Sequence, residues 1–292
     1  MTRKTIPVVL SVLIALLVCL PLTGGAATVG NIASSQGGSG GVSVGVEYDR
    51  VFERELNFDT GDRTRNTSGV VTTAPFPAPG ESINDLKMES NRVLVKGTLG
   101  FNKDIDLDLF IKLGVADLIW KGSHVTATGT QDLKFDGNAD FAWGGGAKFG
   151  FYQFSNGLKI MGDAQYLTYT VKGTYTINGI DRAVFETPAS YDTKTKIEEW
   201  QGALYVQQFF GAVGPYLGAK YSNLTLKNET SVSGRASGVP YTYDETMKAK
   251  AKNNVGAFLG ADFNIKPNHL SVNVEVRLID ETSGSIGVNY KF

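Results

Sequence analysis

From Ile105 to Val115 the apolar residues Ile105, Leu107, Leu109, Ile111, Leu113 and Val115 share one face of an extended strand, and Asp106, Asp108 and Lys112 share the other. The apolar face carries no charge over a length that lets a tilted strand cross the hydrocarbon of a bilayer. The same alternation recurs at 41–56, 88–102, 139–154, 158–172, 197–212, 215–228, 246–264, 269–281 and 284–292. No other feature constrains the chain as much. Outside the first residues, no run of 18 apolar residues provides a membrane helix. A bilayer can then be crossed only by a closed barrel, in which every backbone N–H and C=O is paired internally. The pattern predicts an all-β, transmembrane antiparallel up-and-down barrel of about ten strands. Eight or twelve remain open, because residues 57–87 have room for a further hairpin.

The connectors sort by length. Short ones fall at 102–104, 155–157, 212–214 and 266–268, and long ones at 57–87, 121–138, 173–196 and 229–245. Short inner turns alternating with long outer loops are the wiring of an outer-membrane barrel. The turn around Thr282-Ser283 breaks the rule by being short and outer. Trp120, Trp143, Tyr166, Trp200, Tyr221 and Phe263 are expected in the interfacial aromatic girdles.

Both ends agree with this reading. Arg3 and Lys4, an apolar stretch from Ile6 to Leu22, and Gly24-Gly25-Ala26-Ala27 read as a signal peptide over residues 1–27. Residues 28–40 read as an N-terminal flexible segment and 41–292 as the barrel. At the other end Ile286, Val288, Tyr290 and Phe292 alternate with Gly287, Asn289 and Lys291. Tyr290 and Phe292 read as a C-terminal assembly signal, which makes outer-membrane lipid and the barrel assembly machinery the expected partners. The single cysteine, Cys19, lies in the leader, so the mature chain has no disulfide and no cysteine metal site. Setting Arg3 and Lys4 aside leaves 26 basic against 29 acidic residues, a balance that gives no reason to expect nucleic acid.

The inward faces carry charge of both signs. Lys96, Asp106, Asp108, Lys112, Lys148, Asp163, Lys220, Asp262, Glu275 and Arg277 are the candidate pore-lining residues. Glu47, Asp49, Lys159, Glu199, Lys250, Lys252 and Lys291 fall on the same face by alternation. Such groups point inward only where they meet water or an opposite charge. They therefore either line a water-filled pore or pair across a narrow lumen and plug it. Inward glycines, among them Gly45, Gly144, Gly146, Gly218, Gly256 and Gly260, remove bulk and favour open space. No catalytic constellation is expected. The two histidines, His124 and His269, fall at opposite ends, with Asp132, Asp136 and Asp140 as the carboxylates nearest His124 in sequence. No metal or cofactor motif is present.

Three stretches resemble the chlamydial major outer-membrane porin family. They are Tyr48-Asp49-Arg50-Val51-Phe52; Glu199-Trp200-Gln201-Gly202-Ala203-Leu204 with Gly214-Pro215-Tyr216-Leu217-Gly218-Ala219-Lys220-Tyr221-Ser222; and Val276-Arg277-Leu278-Ile279-Asp280-Glu281 with the closing Asn289-Tyr290-Lys291-Phe292. They stand in the family's order, in a shorter and cysteine-free chain. The resemblance implies a porin of the Gram-negative cell envelope that passes small hydrophilic solutes or ions, and a homotrimer. The alternative is a closed structural or adhesive barrel acting through its outer loops, 57–87 and 173–196 above all.

Overall fold

The computed structural model describes residues 41–101, 106–181, 190–236, 238–266 and 269–292. The leader and the segment 28–40 lie outside these, as do the inner turn at 102–104 and residues 267–268 of another. The strands are β1 (Val42–Thr67), β2 (Val70–Pro75), β3 (Ser82–Phe101), β4 (Asp106–Thr126), β5 (Gly129–Gln153), β6 (Lys159–Ile177), β7 (Ile180–Asp181), β8 (Ser190–Gln207), β9 (Val213–Ala236), β10 (Val239–Ala251), β11 (Val255–Lys266), β12 (Leu270–Leu278) and β13 (Thr282–Lys291). Ten of them close an antiparallel ring in the order β1, β3, β4, β5, β6, β8, β9, β11, β12, β13 and back to β1. The seam pairs the two ends of the described chain, from Ser43 opposite Lys291 to Glu53 opposite Thr282.

The alternation places the belt where the sequence puts it. Val44, Val46, Val95, Leu109, Ile111, Leu113, Leu217, Leu259 and Val288 are exposed large hydrophobics on the outside of this ring. In water such a surface would be costly; against lipid tails it is not. A closed ring wearing an uncharged apolar belt is a transmembrane barrel.

Two expectations about the strands change, and the one left open at 57–87 is decided. The long outer loops are mostly strand: β1 runs on to Thr67, β4 and β5 meet at a turn after Thr126, and β9 continues to Ala236. The segment 57–87 does contain a further hairpin, formed by the end of β1 and β2, with Thr67 opposite Val70. The segment expected as one strand at 246–264 is two, β10 and β11, broken at 252–254. Both keep β9 on one side, but β11 has β12 on the other side and β10 has the upper part of β1. The change of partner follows from the short β12–β13 hairpin, which stops at Leu278 and Thr282. Above it nothing separates β1 from β10, and the two pair from Leu56 opposite Ala251 to Thr67 opposite Tyr241.

The barrel therefore has two storeys. The lower one is the ten-stranded ring with the apolar belt. In the upper one β10 replaces β11, β12 and β13, so that eight strands line the wall, with β1 and β3 paired no further than Leu56 opposite Leu86. The polarity of the two faces reverses between them. Above the belt the inward face is mainly apolar: Met88, Leu118, Phe135, Val171, Ile197, Leu224 and Leu226 form one buried cluster, with Thr193, Thr195, Asn228 and Thr230 buried on β8 and β9 above it. The outward face there carries cross-strand ion pairs such as Lys87–Glu53 at 2.8 Å, Lys121–Glu89 at 3.0 Å and Lys252–Glu55 at 2.8 Å. Register shifts mark the junction, between Val51 and Arg54 on β1, Ala116 and Leu118 on β4, and Gly137 and Ala142 on β5. Bulges of this kind redirect side chains at barrel rims. Trp120, expected in the girdle, is instead 1 % exposed in the upper core, stacked on Phe135 with ring centroids 6.1 Å apart.

Candidate functional site: the filled lumen

The inward residues of the lower storey form two tiers. The tier nearer the inner mouth is held by hydrogen bonds and aromatic packing. Gln207 Nε2 and Asn273 Nδ2 donate to the two carboxylate oxygens of Asp262 at 2.6 and 2.8 Å. Asn273 Nδ2 also donates to the Tyr216 hydroxyl, which donates in turn to Glu275 Oε2 at 2.8 Å. Tyr205, Tyr216 and Phe258 pack against one another with centroids 5.8 to 6.2 Å apart. On the facing wall Lys112 Nζ donates to Glu47 at 3.0 Å and to Gln165 at 3.3 Å. At the mouth itself Asp106 lies 3.6 Å from Lys159, and both are partly exposed.

The second tier is a chain of ion pairs that crosses the lumen. Arg277 Nε meets Glu275 at 2.6 Å and Arg277 Nη1 meets Asp49 at 3.5 Å. The other oxygen of Asp49 lies 3.7 Å from Arg92, which lies 3.5 Å from Glu199. Arg54 Nη1 meets Glu199 at 2.6 Å and Glu281 at 3.3 Å, while its Nη2 donates to the Ser222 hydroxyl at 2.8 Å. Lys220 closes the chain, 3.0 Å from Asp280 and in a short contact with Glu281. In the ring β1 and β8 lie five strands apart in one direction, so the Arg54–Glu199 pair spans the barrel from wall to wall. Asp280 and Glu281 belong to the β12–β13 turn and tuck beneath the step where ten strands become eight. Arg54, Arg92 and Arg277 are among the largest fully buried side chains. A charge is tolerated without water only where opposite charges and hydrogen bonds replace it. Opposite charges stand within 4 Å of each of these groups, while both carboxylate oxygens of Asp49 and Asp280 and the Nε and Nη1 of Arg92 accept or donate no hydrogen bond among the described residues.

All ten candidate pore-lining residues lie in the lower storey. Asp108, Lys112, Lys148, Asp163, Lys220, Asp262, Glu275 and Arg277 are buried, while Lys96 and Asp106 are intermediate. Lys250 and Lys252 do not belong with them. The break after Ala251 shifts the alternation, and both lysines sit outside, paired with Asp59 and Glu55. The glycines correct a further expectation, because their neighbours occupy the space they leave. A methyl at Gly146 would meet the Phe110 ring at 2.7 Å, and one at Gly218 would meet Phe258 at 2.7 Å. At Gly256 and Gly260 the side chains of Asp280 and Tyr216 fill the space.

Arg54, Arg92, Asp280 and Glu281 complete the network and were not singled out from the sequence. Arg92 shares its face with Leu94 and Lys96, so the alternation did carry it. Arg54 lies beyond the β1 bulge, which turns it from the outer to the inner face. Asp280 and Glu281 read as turn residues.

His124 is on the upper part of β4 and pairs with Glu81, 2.9 Å away, rather than with Asp132, Asp136 or Asp140. The Phe76 ring lies edge-on to the imidazole at 5.4 Å, and Arg63 stacks over Phe76 at 3.9 Å. Glu81 also accepts from the Ala78 amide at 3.2 Å. Desolvation pushes the Glu81 carboxyl up, but the bonds from His124 and Ala78 outweigh it, and it titrates below the ordinary range. These contacts strap residues 76–81 across the gap between the tops of β1 and β3.

No family profile and no curated protein matches the chain. Among solved structures it is similar to the outer membrane protein OprG from Pseudomonas aeruginosa, at 11% identity over 88% of this chain and 98% of that one, with a TM-score of 0.38. It is also similar to the translocator domain of the autotransporter NalP from Neisseria meningitidis, at 13% identity over 89% and 91%, with a TM-score of 0.39. The toluene transporter TodX from P. putida matches at 9% identity over 90% and 92%, with a TM-score of 0.29. With its closed ring, its apolar belt and the charged storey above it, the chain is an outer-membrane β-barrel.

Proposed function

We propose that this barrel is closed and acts through the β-structure it holds outside the membrane. One observation carries the reading: the buried ion-pair chain from Glu275 to Lys220 lies beneath a packed apolar core. A hydrated solute would have to part both. Above Leu56 the side between β1 and β3 is bridged by residues 76–81 rather than by a ladder, and the apolar cluster fills the interior that the eight upper strands line.

What the barrel presents outside is best represented by β2. All six of its residues, Val70-Val71-Thr72-Thr73-Ala74-Pro75, are exposed and uncharged. It pairs with β1 on one side, and among the described residues no strand pairs with the other. An uncharged, β-branched edge of this kind accepts an extended polypeptide strand.

Passive diffusion of small hydrophilic solutes or ions is the second reading. The partly exposed Lys96, Asp106 and Lys159 favour it, because water reaches them from the inner mouth. It requires the network above them to open, and the trimer implied by the family resemblance belongs with it. Current through the refolded chain in a planar bilayer separates the two. Silence at full insertion is expected. Long-lived conductance steps would overturn the closed reading and make the lumen charges selectivity residues.

A further inference from the structure

The wall is split where β5 and β6 leave the membrane. Gly137 pairs with Gly173 and Ala142 with Tyr169, so residues 138–141 of β5 and 170–172 of β6 run past each other without a ladder. On the other side β5 stays paired with β4, Phe141 opposite Val115, and the Phe141 amide donates to the Asp140 carboxylate at 2.7 Å. Backbone groups turned into such a split need another partner at the edge of the hydrocarbon. A groove of about 610 Å³ opens over the split on the outer face. This is within the usual size range of small-molecule sites, roughly 300–1,000 Å³.

The groove is amphipathic along the membrane normal. Its lower wall is formed by Trp143 and Tyr166, with centroids 5.7 Å apart, and Trp200 on the next strand continues the aromatic ladder beside it, 4.5 Å from Tyr166. Its rim holds Lys172, Lys196, Asp140 and Glu198, and Lys172 lies 3.3 Å from Asp192 just beyond it. Lys196 lies 2.8 Å from Glu198, and the Tyr166 hydroxyl donates to Glu198 at 3.4 Å. Each lysine has a carboxylate of its own, and Asp140 is left as the rim's uncompensated charge. A purely anionic head group would bring its charge against Asp140. A zwitterion would place its phosphate on the lysines and its ammonium on Asp140 and the aromatic faces, which attract cations.

We infer that this groove holds one membrane lipid with a phosphoethanolamine-type head group, its acyl chains running down the belt past Trp143 and Trp200. The site does not depend on whether the lumen conducts. The test is native mass spectrometry of the refolded chain in detergent, titrated separately with phosphatidylethanolamine, phosphatidylglycerol and a lipid A phosphate. One phosphatidylethanolamine per chain is expected, retained about tenfold better than the other two. The double variant Asp140→Asn, Lys172→Gln should lose that preference while keeping the heat-dependent gel shift of a folded barrel. The control pair Lys134→Gln, Asp136→Asn, higher on β5, should keep it. Equal retention of all three lipids, preference for either anionic one, or unchanged binding by the double variant would each overturn the inference.

Discussion

Trp120→Ala tests whether the upper storey is a true core. The indole is packed between Phe135 and Tyr175, with centroids at 6.1 and 5.5 Å. Its Nε1 donates to Thr195 Oγ1 at 3.2 Å, and that hydroxyl donates onward to Asn228 at 2.8 Å. The hydroxyl therefore keeps a partner when the indole goes, and the loss is mainly one of packing. A fully buried tryptophan removes about 200 Å² from water. At about 25 cal/mol per Å² that is near 5 kcal/mol, an upper bound. Large-to-small changes at buried aromatics cost about 3–5 kcal/mol. The expected loss is about 4 kcal/mol, read from guanidinium unfolding in detergent micelles followed by circular dichroism. Ile111→Ala, on the lipid face and 55% exposed, is the control and should cost about 1 kcal/mol or less. If Trp120→Ala also costs no more than about 1 kcal/mol, the upper storey is not packed and the argument for a closed barrel falls with it.

Three other outcomes are expected. Arg277→Ala leaves Glu275, Asp49 and Glu281 buried without their shared cation; the same unfolding assay should show a loss of about 3–5 kcal/mol, against less than about 1 kcal/mol for Lys87→Ala at an exposed pair. Gly114→Ala would drive a methyl into the Val93 carbonyl oxygen, so the refolding yield should collapse, whereas Gly97→Ala, whose methyl would meet nothing nearer than Ile111 at 3.8 Å, should refold normally. Because Glu81 titrates below the ordinary glutamate value of about 4.5, its contribution is complete above that value and is lost as the pH falls through the lower, folded one. Hydrogen exchange in the 76–81 strap, corrected for the intrinsic rate, should therefore accelerate in the native chain as the pH falls through that lowered value, and Glu81→Gln should exchange quickly at every pH.

The ten ring strands were legible because each obeys a period of two over the thickness of a membrane, a pattern no short turn or helix imitates. The wiring was legible from connector length. The upper storey was harder. Its strands alternate as regularly as the lower ones, but the polarity is reversed, and on β1, β4 and β5 a bulge stands at the change. A reading that looks for apolar residues on the outside sees loop there. Asn178-Gly179, both at positive φ in the β6–β7 hairpin, was a local sign that the segment from 173 contains a turn between strands. The lumen charges were legible as inward but not as paired. Which carboxylate meets which guanidinium depends on strands distant in sequence, such as Arg54 with Glu199 and Arg54 with Glu281. No spacing rule spans those distances.

The β12–β13 turn sets a limit on what can be grafted onto this barrel. Ile279 at its tip is 71% exposed and held at a φ of 85°, a conformation β-branched residues rarely adopt. Just above it β1 and β10 are already zipped together, and just inside it Asp280 and Glu281 are bound to Arg54 and Lys220. An epitope or reporter loop inserted at the Thr126–Gly129 turn meets only solvent. One inserted at 279–281 would have to force the β1–β10 zipper apart or pull two carboxylates out of the lumen. Of the outer hairpins, this one is closed to insertion, and a library of tagged chains displayed on cells should be depleted there.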